Sequence, residues 1–522
     1  MQYNFVRRLF FALSLLLVVS CGSTTAYAQR RRAVSPVPNH EWARGAVFYE
    51  IFVRSFYDSN GDGKGDLNGL ISKLDYLSGL GIDAVWLMPI FESPSYHGYD
   101  TTDYETIARD YGTNADFQRF LEEAHKRGIR VIIDYVMNHT SSQHPWFIES
   151  ASSSTSPKRN WYIWSATNPG WTQPWGPDPT WHQLNNAGPY YYGVFWSGMP
   201  DLNYRTREVK AEMFRISREW LTKGVDGFRL DATRYLVEDG AGAGQYDTPE
   251  THQLLKDFSA DVQQTKPDAI LVAENTVNTA TLATYYSDVS MNFNFPLASA
   301  ILDGVNSGNA SRITSTLREM SNDYPPGAID APFLTNHDQT RIATILGNDS
   351  GKLRSAAAIL LTLPGAPFIY YGEEVGLQNG PTSADESKRT PMPWTASGGF
   401  TTGPPWFAYA AGTATANVAS ETNDSQSLLS YYRNWIAARK KSAALMKGNL
   451  TLLDLSASIL SFERDSSGER VIVVHNLSGA AINAELAATA NGYDAIYSDF
   501  GVSNINGKLS LPAHSSGAWR LR

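Results

Sequence analysis

Across 522 residues, 42% hydrophobic and 18% charged, the chain is longer than one compact core usually supports, so a large domain with an insertion or appendage is expected. Its 43 basic against 52 acidic side chains leave a formal charge of −9, which excludes the basic field that holds a nucleic-acid backbone. The 14 tryptophans and 12% aromatic content exclude intrinsic disorder, because they supply apolar surface to offset the entropy of ordering.

The first element is an export address. Arg7 and Arg8 precede an apolar run from Leu9 to Val19, shorter than a membrane span and shaped like a secretory signal. The run ends in Val18-Val19-Ser20-Cys21, which resembles a bacterial lipobox. A competing cut lies at Ala26-Tyr27-Ala28, before Gln29. Residues 1–28 are therefore assigned to export, giving a periplasmic or cell-surface lipoprotein or, with the second cut, a secreted protein. Membrane contact is expected only through that anchor. Cys21 is the only cysteine, so no intramolecular disulfide can form.

From Gly45 onward, apolar and aromatic runs alternate with helical patterns. The runs are AVFYEIFVRSF, IDAVWLMP, IRVIIDYVMNH, VDGFRLDA, AILVAEN, VSMNFNFPL, APFLTNHD and APFIYYGEE. Between them come single apolar stripes such as Leu67, Leu70, Ile71, Leu74 and Leu77, or Val209, Met213, Ile216 and Trp220. Gly81, Gly128 and Gly224 stand where left-handed helix caps are wanted. Eight strands alternating with helices predict an α/β fold, a (β/α)8 TIM barrel with its chemistry at the C-terminal strand ends. The barrel is placed at 36–139 and 205–442, interrupted at 140–204 by an inserted subdomain far longer than an ordinary loop. Six tryptophans fall between Trp161 and Trp196. Most are expected to build the small insertion's core, while some face a cleft and stack on sugar rings. The irregular stretch Gln378 to Gly412 should overhang the barrel mouth. SILSFERD and RVIVVHNLS alternate about a Ser-Ser-Gly turn, so 443–522 is read as an antiparallel β-sandwich domain.

The polar residues at the strand ends carry the functional signal. The third run holds Asp134, Asn138 and His139; the fourth Arg229 and Asp231; the fifth Glu274; the seventh ends Asn336-His337-Asp338. Gathering several acids on one rim is expensive unless function requires it. Carboxylate pairs beside aromatic rings, with no phosphate loop, suit glycosidic bond cleavage. The residues alone leave the roles open among Asp231, Glu274 and Asp338.

DYVMNH, GFRLDA, AEN and FLTNHD stand in the order of the four signature segments of the α-amylase family of glycoside hydrolases, and the chain resembles that family over nearly its whole mature length. The resemblance implies that Asp231 is the nucleophile, Glu274 the general acid/base and Asp338 the carboxylate that distorts the sugar. Arg229 then keeps Asp231 ionised, His139 and His337 bond sugar hydroxyls, and Tyr99 stacks beneath the ring. It implies a retaining enzyme acting on α-1,4-glucans or maltooligosaccharides, and a monomer is expected. Exo-acting α-glucosidases, glucanotransferases and trehalose synthases are rivals within the family, and a non-catalytic sugar-binding protein is a rival from another class.

Asp58-Ser-Asn60-Gly-Asp62-Gly-Lys64-Gly-Asp66 sets oxygen ligands at alternate positions like the start of a calcium loop, though Gly69 stands where an EF-hand has Glu. It resembles the calcium loop of oligo-1,6-glucosidase-like family members, which implies Ca2+ held by Asp58, Asn60, Asp62, Asp66 and the Lys64 carbonyl. Arg234-Tyr235 replaces the family's Lys-His, which leaves a second metal and the usual leaving-side contacts open. Asp100 and Arg389 resemble a pair that grips the terminal glucose in exo-acting relatives. A salt bridge between them would block the cleft or simply tie two loops together.

Overall fold

The computed structural model describes residues 41–486 and 492–522. The export segment and Cys21 lie outside the described residues. Eight parallel strands form one sheet: β1 (Phe48–Ile51), β2 (Ala84–Leu87), β3 (Arg130–Tyr135), β4 (Gly227–Leu230), β5 (Ile270–Ala273), β6 (Met291–Phe293), β7 (Ile329–Ala331) and β8 (Phe368–Tyr370). Seven of the eight runs read from the sequence contain one of them, whereas β7 lies just ahead of its run, APFLTNHD, and shares only Ala331 with it. β8 pairs with β1, and the amide of Phe368 donates to the Pro332 carbonyl at 2.8 Å, so the sheet closes into a TIM barrel.

Side chains alternate in direction along a strand, so every second residue enters the barrel. Phe48, Ile132, Val272, Met291 and Phe368 make the apolar plug, with Phe48 stacked on Phe368 at 4.4 Å. Two residues further along the same strands stand Glu50, Asp134 and Glu274. The carboxylate rim is thus the next inward layer of the barrel's own packing. Gly227, two residues before Arg229, has φ +150°, and a Cβ there would lie 2.1 Å from the Ile270 carbonyl oxygen, so only glycine lets β4 approach β5 this closely.

The helices cover the outside. Leu67–Leu80, one stripe in the sequence, is two helices, Leu67–Ser72 and Leu74–Leu80, broken at Lys73. Gly81 and Gly224 cap their helices at φ 95° and 115°. At the base, Arg439 on the helix Leu428–Lys440 is fully buried and donates to the carbonyls of Gly45, Leu361, Leu363 and Gly365, stitching the chain before β1 to the turn before β8.

Between β3 and β4 the insertion forms a helix, Pro145–Ser152, and a small antiparallel sheet of Trp164–Ser165, Trp181–Gln183 and Tyr190–Tyr192. Trp161 and Trp181 are buried there, whereas Trp175 and Trp196 are exposed. After a short helix, Ala443–Lys447, the C-terminal part is antiparallel: a five-stranded sheet including the hairpin Ile459–Ser466 and Glu469–Asn476, and a three-stranded sheet around Lys508–Leu511. Among the described residues no helix is long and apolar enough to cross a membrane.

Candidate active site

Arg229 is the hub. It is fully buried, and its Nη1 donates to Asp134 at 2.9 Å and to Asp231 at 2.8 Å while Nη2 donates to Glu274 at 2.7 Å. The register makes this possible, because Asp134 lies directly opposite Arg229 across the β3–β4 ladder. Below, the guanidinium sits 5.0 Å from the centre of the Trp86 ring. One cation facing three carboxylates makes short, charge-assisted contacts but neutralises only part of their charge. Burial therefore still pushes Asp134 and Asp231 up to about 6 and Glu274 up to about 7, with Arg229 pulling each of them down. The fit between Asp231 and Glu274 is that of an acid pair whose members separate near neutral pH.

Ala232, directly after Asp231, has φ 50°, a left-handed conformation that a residue with a Cβ adopts at a cost. Its amide points at Glu274 Oε2, 3.5 Å away. The strained turn thus ties the chain after one acid to the other acid.

Asp338 occupies the opposite sort of environment. Enclosure in the cleft opposes its charge, but the His337 imidazole and the Arg389 guanidinium outweigh that and hold its carboxyl well below the usual range. His337 is buried between acids. Its Nδ1 meets Glu50 at 2.6 Å and its Nε2 meets Asp338 at 3.2 Å, and these partners overcome burial to raise it to about 9. Tyr99 stacks on His337 at 5.4 Å, and its hydroxyl donates to Asp134 at 3.1 Å. His139 Nε2 donates to the Tyr99 carbonyl at 3.2 Å, and burial lowers it to about 3, so it is a neutral ring at the cleft wall.

Asp231, Glu274, Asp338, Tyr99, His139 and Arg389 line one cleft of about 590 Å³. Asp100 does not join them. It is buried and accepts from Ser93 and Ser95, so the Asp100–Arg389 bridge considered from the sequence is not formed. Arg389 instead pairs with Asp338 and with Asp385, each at 2.9 Å, and donates to the Tyr96 hydroxyl. Ser93 and Ser95 satisfy Asp100 locally, which removes any electrostatic reason for Arg389 to reach it.

Several site residues were not singled out from the sequence. Glu50 follows Phe48 by two on β1, so the period-two rule marks it as inward. Asp385 precedes Arg389 by four, a helical ion-pair spacing. Trp175 and Phe195 also line the cleft beside Tyr235, and nothing in the local sequence of these two separates them from the insertion's structural aromatics.

The loop 58–66 is all oxygen donors, which suits calcium chemically. Its carboxylates, however, are turned onto the protein. Asp58 accepts the amides of Asn60, Gly61 and Gly63 and the Thr401 hydroxyl, and Asp66 accepts from Ser59 and Gly69. Asn60 and Asp62 accept the amides of Asp62 and Lys64. Among the described residues no three acidic, histidine or cysteine side chains converge as a metal cage. Four bonds fill the lone pairs of Asp58, so an entering cation would displace Thr401. Asn138 Oδ1 and Asp201 Oδ2, buried where the insertion rejoins the barrel, have no partner.

The comparisons agree with this geometry. The model of the alpha amylase catalytic domain matches residues 50–448, and that of the alpha-amylase SusG C-terminal domain matches 459–517. An alpha-amylase of Dictyoglomus thermophilum is 42% identical over 84% of this chain and 86% of its own length. A trehalose synthase/amylase of Mycolicibacterium smegmatis is 34% identical, covering 92% of this chain and 93% of its own. The crystal structure of an alpha-amylase from H. orenii superposes with a TM-score of 0.82 at 37% identity, over 92% of this chain and 100% of that one. A closed (β/α)8 barrel with an insertion after β3 and a carboxylate rim around a buried arginine defines a glycoside hydrolase of the barrel type. The chain belongs to the α-amylase family, glycoside hydrolase family 13.

Proposed function

We propose that this protein is a retaining α-amylase that cleaves α-1,4-glucosidic bonds in starch-type glucans and maltooligosaccharides. The observation that carries the reading is the shared guanidinium of Arg229, which holds Asp231 and Glu274 on adjacent nitrogens at 2.8 and 2.7 Å. Ionised Asp231 attacks the anomeric carbon while protonated Glu274 gives its proton to the departing glycosidic oxygen. Glu274, now a carboxylate, takes a proton from water as that water's oxygen displaces Asp231 from the same carbon. Two inversions retain the α-configuration. Asp338 stays ionised beside His337 and Arg389 and binds sugar hydroxyls, which favours a distorted ring.

Cleavage within a chain, rather than from its end, is supported by the missing Asp100–Arg389 bridge, which on one of its two readings would have blocked the cleft. The name of the Dictyoglomus relative supports the α-amylase assignment. A time course on maltoheptaose tests it. A spread of shorter α-anomeric products, abolished in Asp231→Ala, is expected; glucose alone, or β-anomers, would overturn it.

A structural calcium in the loop 58–66 is a separate proposal. It is supported by the alternate oxygens and by Gly61 and Gly63, whose φ values of 85° and 92° wrap the loop.

A further inference from the structure

Glu50 takes no part in the chemistry above. It stands on β1 only 2% exposed, too deep to touch a sugar. Tyr370, opposite it in the β1–β8 ladder, donates its hydroxyl to the Lys388 carbonyl instead. Among the described residues the Glu50 carboxylate has one hydrogen-bond partner, His337 Nδ1 at 2.6 Å. Burying an acid is expensive unless a partner needs its charge.

Hydrogen-bond counting fixes what that partner needs. At its other nitrogen, Nε2, the His337 ring meets the Tyr99 hydroxyl at 2.7 Å and Asp338 Oδ2 at 3.2 Å. The hydroxyl has one proton to give and two lone pairs. It lies 3.1 Å from Asp134 Oδ2, an acceptor, and 3.3 Å from Arg229 Nη1, a donor. With a proton on Nε2, the hydroxyl accepts from His337 and Arg229 and donates to Asp134, and Asp338 also faces a donor. With a bare Nε2, the hydroxyl must turn to His337, Asp134 loses it, and a lone pair faces the Asp338 carboxylate. Only the first arrangement satisfies every atom, and a carboxylate at Nδ1, which can only accept, asks for a proton there as well.

The ring itself is enclosed, stacked on Tyr99 and edge-on to Trp86 at 5.6 Å, whereas Tyr99 and Asp338 line the cleft. Asp134 and Arg229 reach the ring through the Tyr99 hydroxyl, Glu274 acts on it across the site, and Arg389 donates to its backbone carbonyl at 3.1 Å. Asp338 is half-exposed and shared with Arg389, so Glu50 is the counter-charge dedicated to His337.

We propose that Glu50 is a positioning residue of the sugar site: it makes His337 a donor from both ring nitrogens, and so keeps the Tyr99 hydroxyl on Asp134 and the Asp338 carboxylate against Nε2. The inference deepens the retaining reading above and rests on it for what Tyr99 and Asp338 do. Burial opposes charge on the ring, and Asp338 and Glu50 overcome it to raise it to about 9. Glu50→Gln keeps an acceptor at Nδ1 but removes one of those two charges, so the ring should lose its proton nearer neutral pH.

The test uses the full protein labelled with 15N at the histidine ring nitrogens, as wild type and as Glu50→Gln, with His337 assigned by the signals lost in His337→Gln. At about pH 7.5, above the ordinary histidine value, both wild-type nitrogens should carry protons and the variant should show one bare nitrogen. Because a charge-assisted bond is roughly twice as strong as a neutral one, kcat/KM on maltoheptaose should fall about tenfold in the variant at that pH. The ratio of variant to wild type, in which limbs common to both cancel, should climb toward one as pH falls to about 5.5 and the ring regains its proton. Glutamine has the size of glutamate, and the ring signals report a folded barrel. A ring in the same state in both proteins, a bare ring with unchanged kcat/KM, or a deficit equal at every pH would overturn the positioning role. β-Anomeric products from the wild type would instead overturn the retaining reading, with the ring state still judged on its own.

Discussion

Arg389 donates to Asp338 across 2.9 Å and so couples the loop after β8 to the carboxylate that faces the sugar. The same guanidinium binds Asp385 and touches the Tyr96 hydroxyl, which makes it the counter-charge for two acids at one end of the cleft. Arg389→Ala should leave Asp338 with His337 as its contacting cation and lower kcat/KM on maltoheptaose about 10- to 100-fold. Arg389→Lys should recover part of the loss, because a point charge replaces a fork. An unchanged kcat/KM in Arg389→Ala would show that the arginine only ties loops together.

The acid pair sets the pH dependence. The proposed mechanism needs Asp231 ionised and Glu274 protonated, and burial pushes these carboxyls up to about 6 and about 7. Activity should fall below about 6 as the nucleophile takes a proton and fall above about 7 as the acid loses one. The two limbs belong to the pair rather than to single residues. A narrow bell in kcat/KM is expected. With α-maltosyl fluoride, which needs little acid assistance, Glu274→Gln should flatten the alkaline limb of fluoride release; a limb that persists there would assign it to another group.

Global stability should respond to a different acid. Glu373, buried after β8 with Tyr432 donating to it at 2.7 Å, is pushed up by burial to about 8. A carboxyl raised above its ordinary value binds its proton more tightly in the native state. Its contribution is therefore complete below the ordinary value near 4.5 and is lost as pH rises through about 8. Melting temperature should drop on the order of 2–5 °C between pH 6 and pH 9. Glu373→Gln, which stays neutral, should remove part of that decline; an identical decline in the variant would locate the proton elsewhere, with Asp330, raised by burial to about 7, as the next candidate.

The proposed calcium would give a second handle on stability. An ion that binds the folded loop alone adds about 2.7 kcal/mol when supplied at a hundred times its dissociation constant. Millimolar calcium should raise the melting temperature about 2–4 °C over a chelator, and Asp58→Ala should abolish the rise. Equal melting in calcium and chelator would mean that Thr401 and the loop amides satisfy Asp58 without a cation.

The barrel and its rim were legible because both follow short-range rules. Alternation along the strands marks Phe48, Ile132 and Val272 as inward and places Asp134 and Glu274 one layer above them. The four signature segments point to Asp231, Glu274 and Asp338, and these residues do meet in one cleft. What was illegible depends on contacts between distant loops. Arg389 has acids within reach on several elements, and only the folded position of Asp338 and the serines around Asp100 decides among them. The tryptophans of the insertion show the same limit: Trp161 and Trp175 lie 14 positions apart in one aromatic-rich run, yet one is core and the other faces the cleft. Lys73 breaks a helix whose apolar stripe continues unbroken, because the stripe reports which face is buried and not whether the axis bends.

The Arg439 clasp at the barrel base has a consequence for how the chain is made. Strand β1 leaves the ribosome early, whereas the guanidinium that anchors the residues before it lies some 390 positions later. At about 5–20 residues per second, that interval lasts roughly 20–80 s. For most of it, until β8 follows some 320 positions after β1, the outer edge of β1 has no β8 to pair with and remains an open template for other strands. The nascent protein is therefore most exposed to misassembly before its last barrel helix emerges.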